Sequence, residues 1–172
     1  MSQQTQNLMK KISLAKVVLN MGVGKSGEPI EIGKKTLAQI TGKKPNARNA
    51  KKSHRDWGIR KGEPIGVAVT VRGNNATELL KKLLVVKDNQ IAEKAFDNEG
   101  NLSFGIKEHI DIPEIKYDPK IGILGLEVSI SLARPGFNIK FNKSKAKVGK
   151  NHRITKNDAI KFLTEEFGVK VV

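Results

Sequence analysis

The sequence predicts an α+β fold, an antiparallel β-sheet with α-helices packed on one face, plus long basic loops. Three observations carry this. Segments of period-two alternation are interspersed with segments of helical apolar spacing. At least one strand-to-strand connection, from Ile106 to Leu124, shows no helical pattern, which favours antiparallel pairing. The positive charge is concentrated in stretches without sustained apolar period.

The elements follow in order. Val17, Leu19 and Met21 alternate with Lys16, Val18 and Asn20, the pattern of a strand with one buried face. Gly22 to Gly27 is a glycine-rich turn. Glu28-Pro29 opens a helix, since proline suits the first turn. Ile30, Gly33, Leu37 and Ile40 share its inner face, and Gly42 suits its end. The basic stretch beyond Gly42 reads as a short strand and a long loop. Ile65, Val67, Val69 and Val71 then mark a strand. Asn75 and Glu78 offer a helix cap, and Leu79, Leu80, Leu83 and Leu84 give that helix an apolar stripe.

Phe96 to Asn101 reads as a turn, and Leu102, Phe104 and Ile106 as the strand after it. Leu124, Leu126, Val128, Ile130 and Leu132 are expected to form the longest strand. Arg134 to Arg153 has little apolar period and is expected to be an extended loop. Thr155 with Asp158 forms a capping box that starts a last helix, which buries Ala159, Ile160, Leu163 and Phe167 before Gly168.

Composition narrows the function. The 172 residues carry a formal net charge of +15 and no cysteine. Disulfides, thiolate metal sites and a cysteine nucleophile are excluded. No apolar run approaches the roughly 18 residues of a membrane helix, and no secretory leader is visible, so a membrane partner is not expected and the cytoplasm is. The charge is patterned. Lys34 to Lys61 holds ten Lys/Arg and one acid, Asp56, while Arg134 to Lys156 holds eight and no acid. The remainder is close to neutral. Two concentrated cationic segments point to a polyphosphate partner rather than to a merely soluble surface.

Enzymatic motifs fail on inspection. Gly24-Lys25-Ser26 resembles the end of a phosphate-binding loop, but the glycine required five residues earlier is Leu19. A turn whose N–H groups face an RNA phosphate remains open. Asp97-Asn98-Glu99-Gly100 lacks the spaced oxygens of a calcium loop. His54, His109 and His152 are scattered and show no metal spacing. No catalytic residue, metal or cofactor is expected.

Eight aromatics are few, and the two basic segments hold only Trp57, Phe137 and Phe141. Binders of single strands rely on stacking platforms, so folded RNA read by shape and phosphate is favoured. Trp57 is open to two readings, a packed loop anchor or a base-stacking residue.

A set of motifs then occurs in order: Leu19-Asn20-Met21-Gly22-Val23-Gly24, Thr41-Gly42-Lys43-Lys44-Pro45, Ala50-Lys51-Lys52-Ser53, Ile59-Arg60-Lys61-Gly62-Glu63-Pro64-Ile65-Gly66, Val69-Thr70-Val71-Arg72-Gly73, Phe96 to Asn101, and Phe104-Gly105-Ile106-Lys107-Glu108-His109. Together they resemble the large-ribosomal-subunit protein that binds 5S rRNA, universal family "L-five", from about Ile12 to the C-terminus. The basic segment from Arg134 to Ile154 resembles the archaeal and eukaryotic members, and an archaeal source is expected.

The resemblance implies one ribosomal domain over residues 12–172, with 134–154 as a basic loop extension and residues 1–11 as a flexible N-terminal segment. It implies a structural, non-enzymatic role in the cytoplasmic ribosome. The implied partners are 5S rRNA and large-subunit rRNA in the central protuberance, P-site tRNA and neighbouring ribosomal proteins. Expected RNA contacts are Lys16, Asn20, Lys43, Lys44, Arg48, Thr70 and Arg72, with Lys140, Lys143, Lys145, Lys147, Lys150, His152 and Arg153 in the extension. Lys51, Lys52, His54, Arg55 and Arg60 are expected in the loop toward tRNA. Lys43 stands where the family usually has glutamine, so a phosphate contact replaces an amide contact there. From spacing alone, Asn20 and Thr70 either recognise RNA or merely solvate the open face or satisfy backbone groups.

Overall fold

The computed structural model describes residues 7–24, 26–113, 122–142 and 147–172. Expectations for residues 1–6, Lys25, Lys143 and Lys145 therefore fall outside the described residues. Five antiparallel strands form the main sheet: β1 (Ser13–Gly22), β2 (Asn46–Asn49), β3 (Pro64–Val71), β5 (Leu102–Ile106) and β6 (Leu126–Ala133), in the order β2-β3-β1-β6-β5. Two residues, β4 (Gln90–Ile91), pair in parallel with β7 (Lys170–Val171) near the C-terminus. The helices are α1 (Glu28–Thr41), α2 (Asn74–Val85) and α3 (Lys156–Phe167).

Alternation decides the faces. Val17, Leu19 and Met21 of β1 are fully buried, as are Val67 of β3 and Val128 of β6. They join Leu37 of α1, Leu80, Leu83 and Leu84 of α2, and Ala159 and Leu163 of α3 in one core. Burying a single leucine or valine side chain stabilises by roughly 1.5–3 kcal/mol, so this shared face dominates the stability of the sheet. Gly33 faces the sheet from α1, with room for no more than an ordinary methyl contact. A Cβ there would lie 3.4 Å from side-chain carbons of Val23 and Val67.

The capping expectations split. Thr155 and Asp158 make both bonds of a capping box, at 3.3 and 3.2 Å. Asn75 is not the cap of α2. The helix starts two residues earlier than that cap implies, at Asn74, with Gly73 at the cap and no side-chain capping bond. The strand containing Leu132 begins at Leu126, and β1, at ten residues, is the longest. Leu124 instead pairs with His109, its N–H donating to Nδ1 (3.3 Å) and its carbonyl accepting from the His109 N–H (3.0 Å). β1 gains its length from partners on both edges.

Two irregularities shape the outer face of the sheet and its surroundings. Between Leu14 and Lys16 the pairing of β1 with β6 slips by one residue. Leu14 opposes Leu132 and packs against the core, while Lys16 opposes Ser131. Without this bulge residues two apart would share a face, so the extra residue, Ala15, puts Lys16 on the side away from the helices. The turn Asp97–Asn101 also depends on one residue. Gly100 has φ +76°, and a Cβ there would come within 2.5 Å of Ile154 Cγ2. That turn and the start of α3 are thus packed in direct contact.

Candidate nucleic-acid interface

The face of the sheet away from the helices can be read row by row from the strand register. One row runs Asn46, Ala68, Asn20, Glu127, Gly105 across all five strands. The next runs Thr70, Val18, Ser129, Ser103. Lys16 pairs with Ser131 at one end, and Arg48 with Gly66 at the other. Val18 is the one bulky apolar side chain in these rows. Apart from Val18 the face is thus small and polar, with the Glu127 carboxylate in its first row and cations at its ends. A surface of this kind admits close approach of a nucleic-acid backbone and offers donors to phosphate and 2′-hydroxyl groups.

Asn20 is exposed and Thr70 half-buried. Among the described residues, neither side chain makes a hydrogen bond within the chain. Satisfaction of backbone groups is therefore removed, and solvation of the open face and recognition of RNA are the two readings left for this pair. Asn46, Ser129 and Ser131 belong to the same face and were missed as candidates. The signal for Ser129 and Ser131 was present in their alternation with Val128, Ile130 and Leu132, whereas Asn46 lies on a wholly exposed strand without one.

The first basic segment flanks the β2 edge. Lys43 is half-buried and Lys44 exposed between α1 and β2, and Arg48 is exposed on β2 itself. Beyond Asn49 the chain forms a hairpin-like loop. His54 and Ile59 exchange backbone hydrogen bonds, at 2.9 and 3.0 Å. Lys61 N–H donates to Ser53 Oγ (2.9 Å). Glu63 closes the base, its Oε2 accepting from Arg60 N–H (3.0 Å) and its Oε1 from Ser26 Oγ (2.5 Å). These bonds, the Ser26 hydroxyl foremost and then the Arg60 amide, hold the Glu63 carboxyl below its ordinary pKa. Lys51, Lys52, His54, Arg55 and Arg60 are all exposed on this loop.

Trp57 lies at the tip, 72% exposed, with its ring 4.9 Å from that of His54. It is not a packed anchor. The loop is too narrow to cover an indole, and Trp57 only borders a cleft of about 260 Å³ beside Gly24, Ser26 and Glu63. The glycine-rich turn is also placed differently from the phosphate-facing reading. Val23 and Gly24 both donate their N–H groups to the Ile65 carbonyl, at 3.1 and 2.9 Å.

The described residues of the second basic segment depart from the expected extended loop, since they form two short 3₁₀ helices, Phe137–Phe141 and Lys150–His152. Arg134 fastens it. Its Nη1 donates to the carbonyls of His152 (3.4 Å) and Arg153 (3.1 Å), and its Nη2 reaches Asp158 Oδ2 at the start of α3 (3.1 Å). The Arg134 side chain is 11% exposed. His152 is turned inward, Nε2 lying 2.8 Å from the Pro135 carbonyl and the ring edge-on to Phe137 at 5.6 Å. It is an anchor of the segment rather than an outward-reaching group. Weak apolar period hid this compactness, because its ties run mostly to backbone carbonyls.

Lys140, Lys147 and Arg153 of this segment are exposed and line a groove with Lys16 and Arg72 of the sheet. Lys150 is exposed but outside that groove. The fold thereby joins cations more than a hundred residues apart into one surface.

Comparison with known proteins agrees with this architecture. Residues 7–60 match the family described as ribosomal protein L5, and residues 64–162 match the model of that ribosomal family's C-terminus. The chain belongs to the ribosomal protein L5 family. Members of this family are structural proteins of the large subunit of the cytoplasmic ribosome, not enzymes. The chain is similar to the large ribosomal subunit protein uL5 of Nitrosopumilus maritimus, 63% identical over 99% of both chains. It is similar to those of Cenarchaeum symbiosum, 56% identical over 95% of this chain and 98% of the relative, and Pyrobaculum aerophilum, 47% identical over 95% and 92%. The archaeal affinity expected from the Arg134–Ile154 segment accords with these relatives.

Proposed function

We propose that this chain is a structural constituent of the large ribosomal subunit that binds 5S rRNA and large-subunit rRNA in the central protuberance. In this reading the open sheet face seats folded RNA, with neighbouring ribosomal proteins around it. The Lys51–Arg60 loop reaches toward P-site tRNA. The observation that carries the reading is the five-strand face of small and polar residues, bordered by both cationic segments. Lys16, Asn20, Thr70 and Arg48 set the register on the RNA. Lys43, Lys44, Arg72 and the cations of the extension neutralise phosphates.

A protein making six to ten phosphate contacts loses about 10³–10⁵ in affinity between 50 and 200 mM salt. Binding to 5S rRNA is expected to fall steeply with salt while keeping its preference over a control RNA of equal length. Equal binding of both RNAs at every salt concentration removes the reading. Replacing Lys16 and Asn20 together by alanine should weaken 5S rRNA binding and leave the melting temperature nearly unchanged. A large loss of stability would mark the pair as structural.

A further inference from the structure

The groove between the sheet and the Arg134–Lys156 segment has a composition that the open face lacks. Its volume is about 800 Å³, within the range of about 300–1,000 Å³ that holds small organic ligands. Phe137 and Phe141 form one side. Phe137 is half-buried against the core, whereas Phe141 is 82% exposed. Among the described residues, no other element covers the Phe141 ring, which leaves its face open to a ligand. Around these rings stand Lys16, Arg72, Lys140, Lys147 and Arg153. The opposing charge among the lining residues is Glu99, which is paired with Lys140 at 3.3 Å. Asn98 and Asn101 add amide groups to the lining.

Rings beside clustered cations suit a ligand that is flat and aromatic at one end and anionic at the other. A nucleotide has both features. The open face of the sheet suits paired RNA, but a duplex cannot enter a groove of this size. We infer that the groove takes one unpaired nucleotide turned out of the bound RNA, its base stacked on Phe141 and its flanking phosphates on Arg72 and Lys147. This inference rests on the RNA-binding reading above and adds a stacking contact to a protein that otherwise reads backbone and shape.

The test uses the full chain with transcripts of 5S rRNA and, separately, large-subunit rRNA, titrated over a range of salt. Phe141→Ala should weaken binding to one of the two by about 5- to 150-fold, the equivalent of losing one stacked base. The salt slope should not change, because no charge is removed. Phe141→Trp should restore affinity, and Phe141→Leu should not. Arg72→Gln and Lys147→Gln should each flatten the slope of that same RNA by about 0.7–0.9. Wild-type affinity of Phe141→Ala for both RNAs, or full affinity of Phe141→Leu, overturns the inference. In either case, loss of binding in the Lys16/Asn20 double variant would leave the broader reading standing. Failure of the wild-type chain to prefer either RNA over a control would instead remove that reading itself.

Discussion

The two cationic segments have similar charge and opposite construction. The loop after Asn49 projects from the sheet and is held by backbone pairing between His54 and Ile59 and by the Glu63 carboxylate at its base. The segment after Ala133 folds back on the core. Arg134 ties it to α3, Phe137 and Ile154 pack inward, and the Gly100 turn abuts it. One is a reaching device whose substitutions should alter binding with little change in stability. The other is part of the folded body, so its anchors and its outward cations should separate cleanly in experiment. Similar charge in the sequence therefore does not mean similar mechanical role.

The largest effect on this contrast should come from Gly100→Ala. A Cβ there meets Ile154 at 2.5 Å with φ at +76°. Left-handed strain and overpacking each cost about 1–3 kcal/mol, so thermal unfolding should reveal a loss of several degrees. Arg134→Ala comes next. Loss of its charge-assisted bonds should cost about 1.5–3 kcal/mol, and amide exchange should accelerate across Phe137–His152 while the Lys51–Arg60 loop is unaffected. If both regions loosen together, the distinction between them fails.

On the projecting loop the expectation reverses. Replacing Lys51, Lys52, Arg55 and Arg60 by glutamine should change stability by no more than about 0.5 kcal/mol, while the salt slope for RNA binding falls by up to about 3. Trp57→Ala should likewise leave the melting temperature nearly unchanged. The smallest effect concerns pH. The Glu63 carboxyl is held below its ordinary pKa by the Ser26 hydroxyl and the Arg60 amide. Its contribution is therefore complete above the ordinary glutamate value and is lost as pH falls through the lowered one. The Arg60 amide resonance should shift over that acidic window, and Glu63→Gln should abolish the shift. An Arg60 amide that titrates identically in both proteins would sever the link to Glu63.

The sequence by itself determined which residues form the core and where the charge lies. Val17, Leu19, Met21, Val67, Val69, Val128 and Ile130 were legible because side-chain alternation is a local property of a strand. The Thr155–Asp158 box was legible because both partners lie within one helical turn. The family was legible in motifs that occur in order along the chain.

Tertiary structure decided what those local patterns leave open. The bulge at Ala15 depends on the pairing of β1 with β6, and it determines that Lys16 faces the groove while Leu14 faces the core. The Val23 and Gly24 amides found the Ile65 carbonyl, a partner about forty residues away, rather than an outward ligand. Trp57 proved exposed because no other described element folds over its loop, and Arg134 tied together the two ends of a segment without apolar period. In each case the deciding contact is long-range. Local periodicity specifies a side chain's face, but its neighbours on that face are set by register and packing.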